Sequence, residues 1–520
     1  MMLANKNESI STFDIKSIVS LVIIFTFLTG CSSTREVRDE SMDYDSKRRA
    51  LIAHDATTRF SSDILLNDEE KKLQTKLLTL RLQMKSHYDN LGFFPPAQPF
   101  FKYKSHVETT KLFKLLRKMP KGGIHHLHPS AAADFAWLVE TVTEHPNAYV
   151  YWGEPSDNFV KGEIRFFVPK NIPTGFKAAA ELQNRNNNFK KELFELLTIS
   201  KEAEMDSLDI WIKFEKVFQR TRGAYSYKPL FESYIQNAIE TLIDDGVMHI
   251  ESRSLLNSKY EFDTIGNTIN YPRDTTVQIL KRVEKRIQQK HPEFSHKVIY
   301  TSLRFFPVEK VAEEFVTAFR YRKKYPELVK GFDLVAEEDN GNTTYHFKSC
   351  WAMRDSLQQV YGVDMPLCLH DGESNSQSVQ NMYDALLLNS KRIGHGFNIM
   401  NFPKAIELAK EKDVCIEVNP LSNQILGYVK DLRLHPASLM LRHGIQCSIS
   451  SDDPAIFDYQ GLSYDYWYAT MAWELSLKDI KKLVFNSITY STLNSKEKKH
   501  ALHYLNKKWA EFVAYGNDFL

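Results

Sequence analysis

Apolar and polar positions change their period along this chain. Between Asn67 and Gly92, Leu73, Leu77, Leu80 and Met84 recur three and four residues apart, the spacing of one helix face. Asn67 offers a cap, Asp68, Glu69 and Glu70 an acidic first turn, and Gly92 with the Pro95-Pro96 pair a stop. A second helix is expected to open at Ser105, with Glu108 three residues on as a capping box, and to close before Pro120. Residues 47–118 therefore read as a helical N-terminal region.

From Gly122 onward the pattern shortens into β-like runs separated by helical stretches such as 309–324 and 403–412. The runs are GGIHHLH, VMHIESRS, KVIYTSLRFF, VKGFDLVAEE, PLCLHDGE, RIGHGF, VCIEVNP and QCSISSDDP. Most begin apolar and end in polar or ionisable residues. Eight β-α units predict an α/β fold, a (β/α)8 TIM barrel over about 119–515, with its chemistry at the carboxyl ends of the strands. Residues 137–185 do not fit a simple crossover. Their Gly and Pro content, with Trp152, predicts a small inserted module after the first strand, followed by helices from about Asn186 to Asp244.

The chain has 520 residues, 43% hydrophobic and 25% charged, with a formal net charge of +2. That is globular composition without a concentrated basic patch, so no nucleic-acid partner is expected. The run Ile18–Leu28 is too short to span a bilayer but suits the core of a secretory signal. It ends in Leu28-Thr29-Gly30-Cys31, which resembles a bacterial lipobox. Residues 1–30 are then a lipoprotein signal peptide, Cys31 the lipidated N-terminus and 31–46 a polar tether. Ser32 after the cysteine points to an outer membrane, facing the periplasm, with contact to the membrane through the lipid alone. Of the other cysteines, Cys368, Cys415 and Cys447 sit in apolar runs and Cys350 completes no CxxC pair; all four are expected as buried free thiols.

The segment Gly122–Ser130 places three histidines within four residues. Strand alternation turns His126 and His128 together into the barrel and His125 towards the helices. His370, His395, Asp452 and Asp453 lie at the ends of other strands. Imidazole and carboxylate suit a borderline divalent cation such as zinc, and buried charge at several strand ends is costly unless paired or metal-bound.

MPKGGIHHLHPSAA, CLHDGESN, RIGHGF, IEVNPLSNQILG and SISSDDPAIF closely resemble the adenosine deaminase family of the amidohydrolase superfamily, in particular its secreted growth-factor branch. The likeness covers about 47–515. It implies that His126, His128, His370 and Asp452 hold one zinc ion. It implies that Glu373 transfers a proton to the substrate ring, that His395 orients and helps deprotonate the attacking water, and that Asp453 orients that water and bonds the purine. It also implies a homodimer formed through the N-terminal helices. The expected reaction is hydrolysis of a 6-aminopurine nucleoside to the inosine-type product and ammonia. The other zinc deaminase signature, HxE with PCxxC, is absent.

Two positions depart from the family. Pro129 stands where an aspartate usually contacts the ribose 5′-hydroxyl, and Ala336 where a glycine N–H usually contacts purine N3. These departures keep open a second reading, a deaminase or hydrolase of a different amino-heterocycle. The growth-factor relatives keep open a third, a non-catalytic binding protein. Trp211, with Glu215, matches a segment that shapes the pocket in that branch, or forms an ordinary helix face. Glu251 and Arg253 are expected to pair at the barrel rim.

Overall fold

In a computed structural model, residues 33–520 are described apart from 155, 157, 170–171, 202–204 and 206–208. The signal peptide and Cys31 lie outside the described residues. Two units are distinguished, 1–58 and 59–520. Of the first, the described part is one helix, Ser33–Thr58, whose side chains are exposed from Asp43 on. The expected tether at 31–46 is thus helical from Ser33, without a break at residue 47. Lys47 and Asp43, one turn apart, form an ion pair on it.

In the second unit, the eight apolar runs are all strands: β1 Gly122–Leu127, β2 Val247–Ser254, β3 Ser295–Leu303, β4 Val329–Val335, β5 Cys368–Asp371, β6 Arg392–His395, β7 Cys415–Val418 and β8 Gln446–Ile449. β1 to β4 form one parallel sheet and β5 to β8 another. Two parallel bridges join them, Phe332 with Leu367 and Leu127 with Asp452. The barrel closes through them, so neither sheet keeps a free edge. The strands are buried along almost their whole length because helices cover the outer face and side chains fill the interior. Among the described residues no helix is long and apolar enough to cross a membrane.

The helix Asp68–Leu91 begins at the expected cap. Asn67 Oδ1 accepts from Glu70 N at 3.0 Å, and Glu70 Oε2 accepts from Asn67 N at 2.8 Å. Gly92 ends it with φ +71°, the left-handed conformation glycine adopts at little cost. Glu70 also accepts from Trp509 Nε1 at 2.8 Å, which ties this helix to the C-terminal helix Ser495–Phe519. The helix expected to start at Ser105 is instead two, Phe100–Thr109 and Lys111–Arg117. Pro99 opens the first. Thr110 caps the second by accepting from Phe113 N at 3.2 Å. Glu108 makes no capping box; its carboxylate receives the Tyr464 hydroxyl instead.

The long β1–β2 connection carries the inserted module. Its core is a three-stranded antiparallel sheet with Ala148–Tyr151 between Ile164–Phe166 and Phe176–Ala178. The expected boundary at 137 falls inside the helix Phe135–Glu144, so the sheet starts later than the sequence suggested. Beyond it, the helices Ile210–Ser226 and Lys228–Asp244 return the chain to β2. The first of these packs on the turn Pro129–Ala131 after β1, which brings its side chains to the mouth of the barrel.

Asn67→Ala is expected to cost about 1 kcal/mol of stability, the usual loss of an N-cap. The denaturant midpoint checks this; an unchanged midpoint would show that the Glu70 contacts hold the helix start alone.

Candidate metal centre and active site

Strand geometry assembles the site. β1 supplies His126, with His128 just past its end; β5 supplies His370, β6 His395, and the residues after β8 Asp452 and Asp453. The donor atoms of His126, His128, His370 and Asp452 all lie within 4.8 Å of one another. His126 Nε2 is 2.7 Å from His370 Nε2. Asp452 Oδ1 is 3.4 Å from His126 Nε2 and 3.2 Å from His128 Nε2.

The opposite ring nitrogens decide what this cluster can bind. His126 Nδ1 faces Glu417 Oε2 at 3.0 Å, and His370 Nδ1 faces Asp333 Oδ2 at 2.6 Å. A carboxylate only accepts, so each Nδ1 carries a proton, and a neutral ring keeps its lone pair on Nε2. Burial pushes the His370 imidazole down to about 3, so it is neutral at ordinary pH. Burial and Arg253 work to lower the His126 pKa, but Asp452 and Glu417 raise it overall, so its Nε2 holds a proton facing His370 Nε2 at 2.7 Å, where a bound cation would take that proton's place. The donor set, three imidazoles and a carboxylate, fits a divalent cation of zinc's type.

The carboxylates behind the ligands are themselves charged. Burial works to raise the Asp333 pKa, but the His370 ring and Arg253 hold it well below the usual range. Glu417 is held down in the same way by Arg253 and Arg392. Arg253 Nε lies 3.0 Å from Asp333 Oδ2, and Arg253 also bonds Glu417 and the His125 carbonyl. Arg392 bridges Glu417 at 2.6 Å and Glu251 at 2.5 Å. Breaking one member of such a buried network costs about 3–5 kcal/mol, because its partner is left uncompensated.

Glu373 sits in the loop after β5, buried, with Oε1 3.3 Å from His395 Nδ1. Burial, with the Asp452 and Glu338 carboxylates, raises its carboxyl well above the usual range, so it is protonated. Glu338 holds this loop by accepting from Gly372 N at 3.0 Å and Glu373 N at 2.8 Å. Asp453 Oδ1 is buried with no hydrogen-bond partner among the described residues, which leaves it available to a ligand. His395 (φ +60°) and Asp452 (φ +63°) occupy the left-handed backbone region, a strain that clusters at functional sites. Gly394 permits close approach: a Cβ there would lie 2.9 Å from His126 Cε1.

The cluster forms the floor of a cavity of about 410 Å³. Pro129, Trp211, Glu215 and Ala336 all line it, with Arg253. Ala336 has φ +94°, a conformation glycine adopts freely and alanine only under strain. The substitution seen in the sequence therefore falls on backbone shaped for glycine.

Other expectations are revised. His125 is set apart from the metal cluster, but its Nδ1 meets Ser448 Oγ of β8 at 3.0 Å rather than a helix. Register shifts in β1 between Ile124 and Leu127 break the simple alternation. Glu251 and Arg253 do form ion pairs, yet in the barrel interior, fully buried, and not at the rim. Cys350, Cys368, Cys415 and Cys447 are buried free thiols. Sequence reasoning missed Asp333, Glu417 and Glu338. A single acid inside an apolar strand, as in GFDLV and CIEV, was the available signal.

Fold and site together define a metal-dependent (β/α)8 hydrolase. The family profile described as Adenosine deaminase matches residues 190–508, and that described as Adenosine/AMP deaminase N-terminal matches 22–116. The chain is 34% identical to adenosine deaminase 2-A of Danio rerio, over 95% of this chain and 97% of that protein. It is 32% identical to adenosine deaminase 2 of Homo sapiens, over 91% and 94%. The chain belongs to the adenosine deaminase family. Among solved structures, an adenine deaminase from Arthrobacter aurescens matches with a TM-score of 0.53 at 18% identity, covering 75% of this chain and 99% of that one. An amidohydrolase from a Burkholderia species, with bound Zn, matches with 0.51 at 13% identity, covering 78% and 95%. At such identities these two likenesses concern the fold alone.

Asp333→Ala is expected to weaken divalent-metal affinity about 10- to 100-fold, the usual effect of removing the partner that orients a ligand histidine. Competition with a chelator measures it; unaltered affinity would contradict the role given to Asp333.

Proposed function

We propose that the chain hydrolytically deaminates adenosine or a related 6-aminopurine nucleoside at a zinc ion held by His126, His128, His370 and Asp452. The observation that carries this reading is the convergence of three imidazoles and a carboxylate beside a buried, protonated Glu373. Zinc, when bound, supplies the positive charge that makes water nucleophilic near neutral pH. Glu373 donates its proton to ring N1, which makes C6 electrophilic. His395 accepts a proton from the attacking water. Asp453 holds that water on line, where small misplacements are costly, and bonds the purine. Water adds at C6, the amine takes up the proton held by His395, and ammonia leaves as the C6 hydroxyl becomes a carbonyl and returns its proton to Glu373.

A second reading has a specific observation behind it. Pro129 has no carboxylate to offer a sugar, and the strained Ala336 adds a methyl group to the cavity wall. Both alter the wall and leave the metal cluster and Glu373 in place, so a different amino-heterocycle suits the same chemistry. A nucleoside panel with ammonia detection, including 5′-deoxy and 2′-deoxy adenosine, separates the two. Loss of the adenosine absorbance supports the first reading; turnover confined to another heterocycle supports the second.

Cys31, following Leu28-Thr29-Gly30, is proposed as the lipidated residue of a protein anchored to the outer membrane and facing the periplasm. The polar composition after the cysteine supports this.

Glu373→Gln is expected to lower kcat by about 10²- to 10⁴-fold, the range of general acid–base catalysis, with metal content retained. Full turnover by that variant would overturn the mechanism. Cys31→Ser is expected to release the protein from the membrane fraction. If the variant stays equally bound, the anchor assignment fails.

A further inference from the structure

Lys259 is a buried ammonium group that the proposed chemistry does not use. It opens the hairpin Lys259–Phe262 with Thr268–Tyr271 and is 1% exposed. Its Nζ lies 3.8 Å from the centre of the Phe231 ring and 4.5 Å from that of Tyr225. It has no hydrogen-bond partner among the described residues. Tyr225 stands edge-on to Phe231, with centroids 5.1 Å apart and planes at 88°, and to Tyr234 at 5.5 Å. Two rings thus box the cation, and Tyr234 backs one of them.

The other face of that box is the cavity. Tyr225 lines it, as do Ser226, Ser254 and Asn257. Tyr225 leans on Ser254, on the segment that runs from β2 to Lys259. Among the described residues no carboxylate pairs with Nζ. Glu261, on the same hairpin, is taken by Lys228 at 2.8 Å and by Tyr271. Glu232, on the helix that carries Phe231, pairs with Arg282 and Arg286. Asp274, at the start of the helix Arg273–Gln288, pairs with Lys324 and bonds Tyr325 and Tyr321. Arg222, on the helix that carries Tyr225, lines the cavity. The rings are therefore the cation's stabilising partners, and a desolvated cation over a ring face is held more strongly than an exposed one.

We propose that Lys259 is a positioning residue for the nucleoside pocket: its charged Nζ, between Tyr225 and Phe231, fixes the Tyr225 ring as a wall against which substrate packs. This role rests on the nucleoside reading of the site. Burial alone lowers the Lys259 ammonium to about 7, so the positive charge is present below that pH and lost above it. The wall is then firmest in mildly acid conditions and loosens as pH rises.

The test measures KM and kcat for adenosine, between about pH 6 and 8.5, on the zinc-loaded full chain and two variants. Lys259→Met keeps the bulk and removes the charge. At the acid end it is expected to raise KM about 5- to 30-fold, the affinity equivalent of a desolvated cation–π contact, with kcat little changed. The ratio of variant to wild-type KM should fall towards one at the alkaline end. Lys259→Arg keeps the charge throughout this range and should hold the low KM at both ends. A wild-type KM for Lys259→Met at the acid end, a KM ratio independent of pH, or a parallel loss of kcat would overturn the assignment while leaving the deaminase reading intact. A wild-type chain inactive on every 6-aminopurine nucleoside would overturn that reading, and the role of Lys259 with it.

Discussion

Everything at this site depends on two imidazole nitrogens being held face to face. His126 and His370 bring their Nε2 atoms to 2.7 Å because Glu417 and Asp333 grip the opposite side of each ring. A proton on His126, or a bound cation in its place, makes that arrangement tolerable. It is maintained by the carboxylates behind it, which Arg253 and Arg392 keep ionised in the dry barrel interior. The centre of the barrel is thus a layered charge structure: guanidinium below, carboxylate next, imidazole above, and a place for a cation at the top. Each layer is tolerable only because the adjacent one compensates it.

The barrel makes this layering possible. Eight short strands deliver side chains from distant parts of the chain to one end, where the backbone turns away. His395 and Asp452 turn in the left-handed region, and Gly394 leaves room for the His126 ring. Backbone strain thus falls where these functional groups must be aimed, while the strands beneath are buried. Glu373 follows the same logic from a loop. Its backbone is held by Glu338, and its carboxyl is kept protonated by burial and by neighbouring negative charge.

The upper wall of the cavity is built differently. It is drawn from the long β1–β2 connection, whose helix Ile210–Ser226 contributes Trp211, Glu215 and Tyr225. This wall carries the rings of Trp211, Phe214, Phe218 and Tyr225, and Tyr225 rests on a buried cation as well as on Ser254 of β2. Pro129 and Ala336 alter the cavity wall and leave the metal-cluster side chains in place. The chemistry of the floor and the recognition by the wall are therefore separable, which is how one barrel can keep a reaction while changing what it accepts.

Much of this was legible in the residue order. The eight strands were visible as apolar runs ending in ionisable groups, and the helix after Asn67 through its cap and spacing, because local periodicity reports directly on which face is buried. Candidate ligands were legible because buried imidazoles and carboxylates at several strand ends are too costly to keep without a cation or a partner to compensate them, while the choice of His126, His128, His370 and Asp452 among them came from the family resemblance. What the chain could not reveal by itself was anything set by distance between strands. The ion pairs of Glu251 and Arg253 looked like a rim feature and proved to be interior, and Asp333 and Glu417 passed as strand residues. His125 escaped simple alternation because β1 shifts register. The start predicted at Ser105 failed since Pro99 and Thr110 offered better helix starts. Hydrogen-bond partners far apart along the chain, such as Arg253 with the His125 carbonyl, and the left-handed turn at Ala336 arise only when the barrel closes, because closure alone decides which buried charges meet.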